Sequence, residues 1–190
     1  MAGFLTYTGK MVYFDKFSQN MVCLEDIAHH LTNICRFGGA LPFNKFYSVA
    51  SHSINLATYL YEKFGDNELA CAALLHDASE AYLGDMISSI KPILPDYKGL
   101  ENKVQRIINS KYNIENSSVI RKLIKYHDSN IILDEVRGLM QHNLHFYKKN
   151  APHLIELGIT IEADKNKKQI KTKFLNMCEE FGIWEIKYEI

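Results

Sequence analysis

Apolar residues recur at helical spacing along most of this chain. Leu24, Ile27, Ala28, Leu31 and Ile34 form one stripe from Met21 onward, and Gly38-Gly39 stand where that helix should stop. After a loop marked by Pro42 and Asn44, the spacing of Val49, Ile54, Leu56, Ala57 and Leu60 predicts a second helix from about Phe46 to Phe64, closed by Gly65-Asp66-Asn67. A third runs from about Glu68 to Ala81, and further helices follow at about Leu100 to Lys111, Ser118 to Phe146 and Ala163 to Phe181. Asn150-Ala151-Pro152 is the clearest break between the last two, and Gly84 to Lys98, with Pro92 and Pro95 among apolar residues, reads as an ordered loop able to form a lid. Only the start departs from this period. Leu5 to Phe14 carries β-favouring residues on both sides of Thr8-Gly9-Lys10, which predicts a short hairpin acting as a decorative edge.

The expected fold class is therefore all-α, one helical bundle over residues 1–190, with residues 1–18 as N-terminal hairpin and lead-in and 150–190 as a C-terminal helical extension. Lys and Arg number 22, as do Asp and Glu, so no net field draws the chain to a nucleic acid polymer or an anionic membrane. Cys23, Cys35, Cys71 and Cys178 are too scattered for a disulfide framework and read as packing thiols in a reducing compartment. The first residues lack the apolar core of a secretory signal, and no stretch approaches the roughly 20 apolar residues that span a bilayer. A cytoplasmic, soluble protein is the expectation.

One polar pair interrupts this pattern. His76-Asp77 follows Ala72-Ala73-Leu74-Leu75, where packing alone disfavours both side chains. A divalent cation satisfies an imidazole and a carboxylate together, and Glu80 stands one helical turn on, over the same face. Two ligands hold a cation loosely, so other helices should contribute. His52 lies on a mixed face with Ser48, Val49 and Leu56, and Asp128 sits in an otherwise apolar helix among Ile124, Ile131 and Ile132. His127-Asp128 is a second dyad, and spacing does not say which member faces inward.

The order His52, His76-Asp77, Asp128 resembles the H…HD…D pattern of the HD-domain metal-dependent phosphohydrolases. The runs EDIAHHLTNICRFGG, FYSVASHS, LLHDASEAYLGD and DEVRGLM are similar to those of the subgroup that includes bacterial 5′-deoxynucleotidases and phage HD hydrolases, among them dATP triphosphohydrolases; the likeness covers about residues 1 to 141. It implies an all-helical HD domain in which His52, His76, Asp77 and Asp128 bind the metal and Glu80 is the catalytic acid/base. It further implies that Arg36 reaches the substrate phosphate, that Asp85 accepts a hydrogen bond from the sugar 3′-hydroxyl, and that Ser79 and Lys91 lie near the phosphate. The cellular deoxynucleotidases carry tryptophan after that arginine, where a ribose 2′-hydroxyl would go. Here the position is Phe37, whose ring can fill the same space.

The expected activity is removal of the 5′-phosphate group or groups of a 2′-deoxynucleotide. dATP or dAMP is the best guess for a phage-type nucleotide-pool enzyme, acting in the host cytoplasm if phage-encoded. The ligand set accommodates Mn, Co, Zn, Fe or Mg. The resemblance also implies a homo-oligomer, to which Phe181, Ile183, Trp184 and Ile186 would contribute if they are not core. Blander readings stand beside these: Arg36 as a helix C-cap, Asp85 as a turn residue, His29-His30 as solvated or capping, and the lysines from Lys165 to Lys173 as a solvated face. Two other functions compete, a catalytically inactive nucleotide-binding HD domain and a di-iron oxygenase that would recruit further His and Asp ligands.

Overall fold

The computed structural model describes residues 3–185, and Ile186 lies outside them. Helices dominate: α1 (Leu24–Asn33), α2 (Val49–Phe64), α3 (Asn67–Leu74), α4 (Glu80–Leu83), α5 (Pro95–Lys111), α6 (Ser118–Leu139), α7 (Leu144–Asn150) and α8 (Lys167–Glu180). Two short strands, β1 (Phe4–Leu5) and β2 (Met11–Val12), pair antiparallel with Phe4 opposite Val12 and Leu5 opposite Met11. The mostly helical class and the N-terminal hairpin expected from the pattern are therefore present. Among the described residues no helix is long and apolar enough to cross a membrane.

Local chemistry sets the helix ends. The Ser48 side chain accepts from the Ser51 amide to open α2, and Gly65, in the left-handed conformation, closes it. Asp66 then caps the Leu69 amide at 3.0 Å, so α3 turns back against α2 after a two-residue joint. Leu56, Leu60, Leu74, Ile108, Ile131 and Phe174, from five helices, meet in the core with essentially no exposed surface. Ile183 joins that core, whereas Trp184 is exposed.

Four boundaries differ from the pattern. The first helix ends at Asn33, because Ile34 and Cys35 are extended and Cys35 bridges Ser48 as a single antiparallel pair; Gly38 and Gly39 belong to a separate turn, Arg36–Gly39. The third stops at Leu74, with five residues between it and Glu80, which opens α4, so His76-Asp77 is on a turn and not on a helix. The helix expected to reach Phe146 breaks at Met140 (φ −137°, ψ 50°), giving α6 and α7. α5 starts early, with Pro95 in the first-turn position that suits its missing N–H.

Neither end is decorative. The hairpin is bound to α1 through Asp26, which accepts from the Thr8 amide (2.7 Å) and hydroxyl (2.8 Å). His30 accepts from the Tyr7 amide at Nε2 and donates from Nδ1 to the Ala81 carbonyl, and His29 stacks on Tyr7. These histidines are fasteners, neither solvated nor capping. In the lysine run, Lys171 pairs with Glu25 and Lys167 covers the Phe46 ring.

Between α7 and α8, residues 151–166 form a strap without regular structure. Asn130 and the buried Asp134 of α6 receive the Ile155, Leu157 and Gly158 amides, and Arg137 pairs with Glu156. At the other end Asp164 accepts from the Ser48 amide and hydroxyl and from the Ser51 hydroxyl. The strap passes so close to α6 that a methyl group at Gly138 would collide with the Ile161 carbonyl oxygen and lie 3.1 Å from the Ile161 Cβ. Gly138→Ala should therefore cost about 1–3 kcal/mol, read as a lowered thermal midpoint. An unchanged midpoint would show that the strap moves aside freely.

Candidate metal centre

The turn after α3 creates the first half of the site. The His76 ring folds back so that Nδ1 lies 2.7 Å from the Ala73 carbonyl oxygen, and successive short-range bonds (Ala78 N to Leu75 O, Glu80 N to Asp77 O) carry the chain through five residues. The tight turn brings the imidazole and the Asp77 carboxylate to the same side, His76 Nε2 lying 3.1 Å from Asp77 Oδ2. α2 supplies His52, whose Nε2 is 3.9 Å from the same oxygen, and the His52 and His76 rings stand 5.3 Å apart. Ligand atoms of His52, His76 and Asp77 all lie within 4.8 Å of one another, a group that could hold a metal ion.

α6 answers the question left by its dyad. Asp128 Oδ1 is 3.1 Å from His52 Nε2 and 3.7 Å from His76 Nε2. His127 faces away among Tyr59, Phe64 and Tyr126, its Nδ1 bonded to the Leu123 carbonyl, which removes it as an added ligand for di-iron chemistry. All four residues read as metal ligands thus converge.

The donor set fits a cation on a stricter test. His52 Nδ1 lies 2.7 Å from Glu135 Oε1, and His76 Nδ1 is equally close to a carbonyl oxygen. Both partners are acceptors, so each ring keeps a proton on Nδ1 and turns Nε2 toward Asp77 and Asp128. Those carboxylates, with Glu135 at His52, overcome burial and raise both imidazoles, so without a cation Nε2 also carries a proton, which a bound ion would displace. Both Nε2 atoms are buried with no hydrogen-bond partner. Burial disfavours charge on Asp77, but His76 outweighs it and holds the carboxyl at about 2. Burial is likewise overcome at Asp128 by His52 and His76. Two ionised carboxylates and two imidazole Nε2 atoms turned to one point are a donor set that a divalent first-row ion could use once it displaces the Nε2 protons.

Glu135 was invisible as a site residue in the sequence. It is fully buried on α6, seven residues after Asp128 and hence on the same helix face two turns along, and this spacing is the signal that could have found it. Its second oxygen accepts from Arg36 Nη2 at 3.1 Å. Arg36 is not a helix cap. Its amide bonds the Tyr47 carbonyl (2.9 Å), its Nη1 is 4.0 Å from Asp77, and Glu135, Asp128 and Asp77 overcome the burial that would otherwise lower its pKa. Phe37 follows at φ 60°, a conformation that costs a bulky residue about 1–3 kcal/mol, and its ring centroid lies 5.7 Å from the guanidinium.

A cleft of about 470 Å³ opens beside these groups, walled by Arg36, Phe37, Asp77, Glu80, Asp85 and Lys91 among others. Burial, then Asp77 and Asp85, pushes the Glu80 carboxyl up to about 9 despite Lys91, whose Nζ is 3.2 Å from Oε1; Oε2 is buried with no partner. Lys91 is also fastened to Glu101 at 2.7 Å. Asp85 is raised by burial first. Ser79 departs from its expected place. It is buried off the cleft wall, its amide bonded to Gln105 of α5, because the end of α3 turns it toward that helix.

Fold and site together define a mostly helical protein with a half-buried His/Asp cluster that could take a cation beside a charged cleft. No family model matches the chain. It is 40% identical over 134 residues, 70% of this chain and 70% of the relative, to the uncharacterized protein YfdR of Escherichia coli strain K12. It is 34% identical over 95 residues, 48% of each chain, to an uncharacterized protein of Rhodobacter capsulatus. The chain belongs to the family of YfdR.

Proposed function

We propose that the protein is an HD-type, metal-dependent phosphohydrolase that cleaves 2′-deoxynucleotides at the 5′-phosphate, with dATP or dAMP as the first substrates to test. The observation that carries this reading is the pair of unpartnered His52 and His76 Nε2 atoms aimed between Asp77 and Asp128, beside Arg36 and Lys91 in one cleft.

His52, His76, Asp77 and Asp128 would hold Mn, Co, Zn, Fe or Mg. When bound, the ion would neutralise phosphate charge and acidify a water. Arg36, locked by Glu135, offers a planar guanidinium to phosphate oxygens, and Lys91 adds a point charge at the other wall. Burial, Asp77 and Asp85 favour the protonated form of Glu80, and its unpartnered Oε2 would deliver that proton to the departing oxygen. Water oxygen would bond to phosphorus, the bond from phosphorus to the 5′-oxygen would break, the nucleoside would leave with the Glu80 proton, and the Glu80 carboxylate so formed would take up the proton released by the water. Asp85 would receive the 3′-hydroxyl, and the Phe37 ring would fill the space a 2′-hydroxyl needs. Assembly as a homo-oligomer belongs to the same proposal.

Incubation with manganese or cobalt and a panel of nucleotides, with mass analysis of the products, tests this. Free triphosphate from dATP, or phosphate from dAMP, is the expected result. A panel that yields no product with any metal, while a nucleotide still binds, would leave a non-catalytic binding domain instead.

A further inference from the structure

The cleft is not uniform. Asp77, Asp128, Arg36, Glu80 and Lys91 form its charged part, whereas another part of the wall is made by the break at Met140, where α6 gives way to the turn Gln141–Asn143 and then α7. Met140 is buried in a small apolar cluster with Tyr47, Val136, Leu139 and Ile161, and Phe37, Ile132 and Tyr147 pack against it. Four of these residues, Phe37, Ile132, Met140 and Tyr147, also reach the cleft wall. Two aromatic rings, a thioether and a branched aliphatic chain favour a flat apolar ligand.

Asn143 is set in this wall. Its backbone amide is tied to the Met140 carbonyl at 2.7 Å, which fixes the turn. Among the described residues the only side-chain partner is the Met140 sulfur, 4.0 Å from Nδ2 and a weak acceptor. Its carbonyl and NH₂ are both available to a ligand, one acceptor beside one donor at the margin of an apolar face.

We propose that this part of the cleft is a nucleobase subsite and that Asn143 hydrogen-bonds the base edge; the assignment rests on the nucleotide reading above. With the phosphate held at the charged part, the apolar part is where the base must lie. The amide complements any edge that offers a donor beside an acceptor, as adenine does at N6 and N1 or N7, cytosine at N4 and N3, and thymine at N3 and O4. A carboxylate offers two acceptors and complements only the paired N1–H and N2–H donors of guanine. Asn143→Asp is therefore a change of code in a side chain of nearly the same shape.

The test is equilibrium binding of dAMP, dCMP, dTMP, dGMP and deoxyribose 5-phosphate to the manganese-loaded Glu80→Gln protein, with and without Asn143→Asp. Relative to deoxyribose 5-phosphate, which controls for added negative charge, dAMP, dCMP and dTMP should weaken by about tenfold or more and dGMP should not weaken. Where the aspartate variant fails to fold, Asn143→Ala should lower affinity for the nucleotides but not for deoxyribose 5-phosphate. Equal effects on all five ligands, or no effect on any, overturn the subsite. Hydrolysis by the wild type combined with base-indifferent variants overturns the subsite alone. Base-dependent loss with no hydrolysis anywhere keeps the subsite and removes the phosphohydrolase reading, and no nucleotide binding at all removes both.

Discussion

Asp77→Ala should reduce deoxynucleotide hydrolysis to the level of the metal-free protein while the chain stays folded. Asp77 Oδ2 lies within 4.0 Å of His52, His76 and Arg36, so no other single side chain in the cleft addresses both ligand histidines and the guanidinium. The expected loss follows from the cation's task. Charge stabilisation worth several kcal/mol corresponds to on the order of a thousandfold in rate or more. Folding should survive, because the carboxylate is partly exposed at the cleft and its favourable partner, His76, keeps its bond to the Ala73 carbonyl. Steady-state rates with saturating manganese, beside a thermal melt of the same sample, separate lost chemistry from lost structure. Retained activity in a folded Asp77→Ala protein would sink the assignment of this cluster as the reaction centre.

Glu135→Gln should lower affinity for manganese or cobalt by about 10–100-fold, the range typical of the groups that orient metal-binding histidines. A glutamine fits the same space and can still accept from His52 Nδ1, but it carries no charge to support the imidazole or to hold Arg36. Arg36 loses its closest ionic partner in the same substitution, so KM for the nucleotide should rise as well. Calorimetric titration of the metal, done without substrate, checks the first effect and initial rates check the second. Unaltered metal affinity would mean that His52 is positioned by packing alone. Glu135→Ala is less informative, since it opens a void beneath the site and leaves Arg36 buried without its partner.

Much of the bundle was legible because its helices obey one period and carry end signals, such as Gly65-Asp66 between α2 and α3. The candidate ligands were legible for the opposite reason: His76, Asp77 and Asp128 are polar residues beside or within apolar runs, and His52 lies on a mixed helix face. What could not be read was direction. In His127-Asp128 the two side chains are equally polar on paper, and only the packing of Tyr59, Phe64 and Tyr126 around one of them decides which faces the cleft. The turn at His76-Asp77 was hidden because Ala, Leu and Glu flanking it are good helix formers; the His76 side chain takes the Ala73 carbonyl that a continuing helix would have used. Glu135 was hidden because its partners, His52 and Arg36, are 83 and 99 residues away in sequence. At the Met140 corner the one local sign is Gly138, which lies within α6 and is there for the close approach of Ile161, so it marks the break only indirectly.

The strap of residues 151–166 contributes no side chain to the cleft wall, yet it is fastened to the helix that carries Asp128 and to the first turn of the helix that carries His52. It works as a tie-rod between two posts whose separation sets the bite of the ligand cage. Under the proposed function, selection of ion size would thereby fall to a segment remote from the ion. Lengthening or shortening that tie would shift α2 against α6, and with them the spacing of His52 and Asp128, with none of the cluster residues altered.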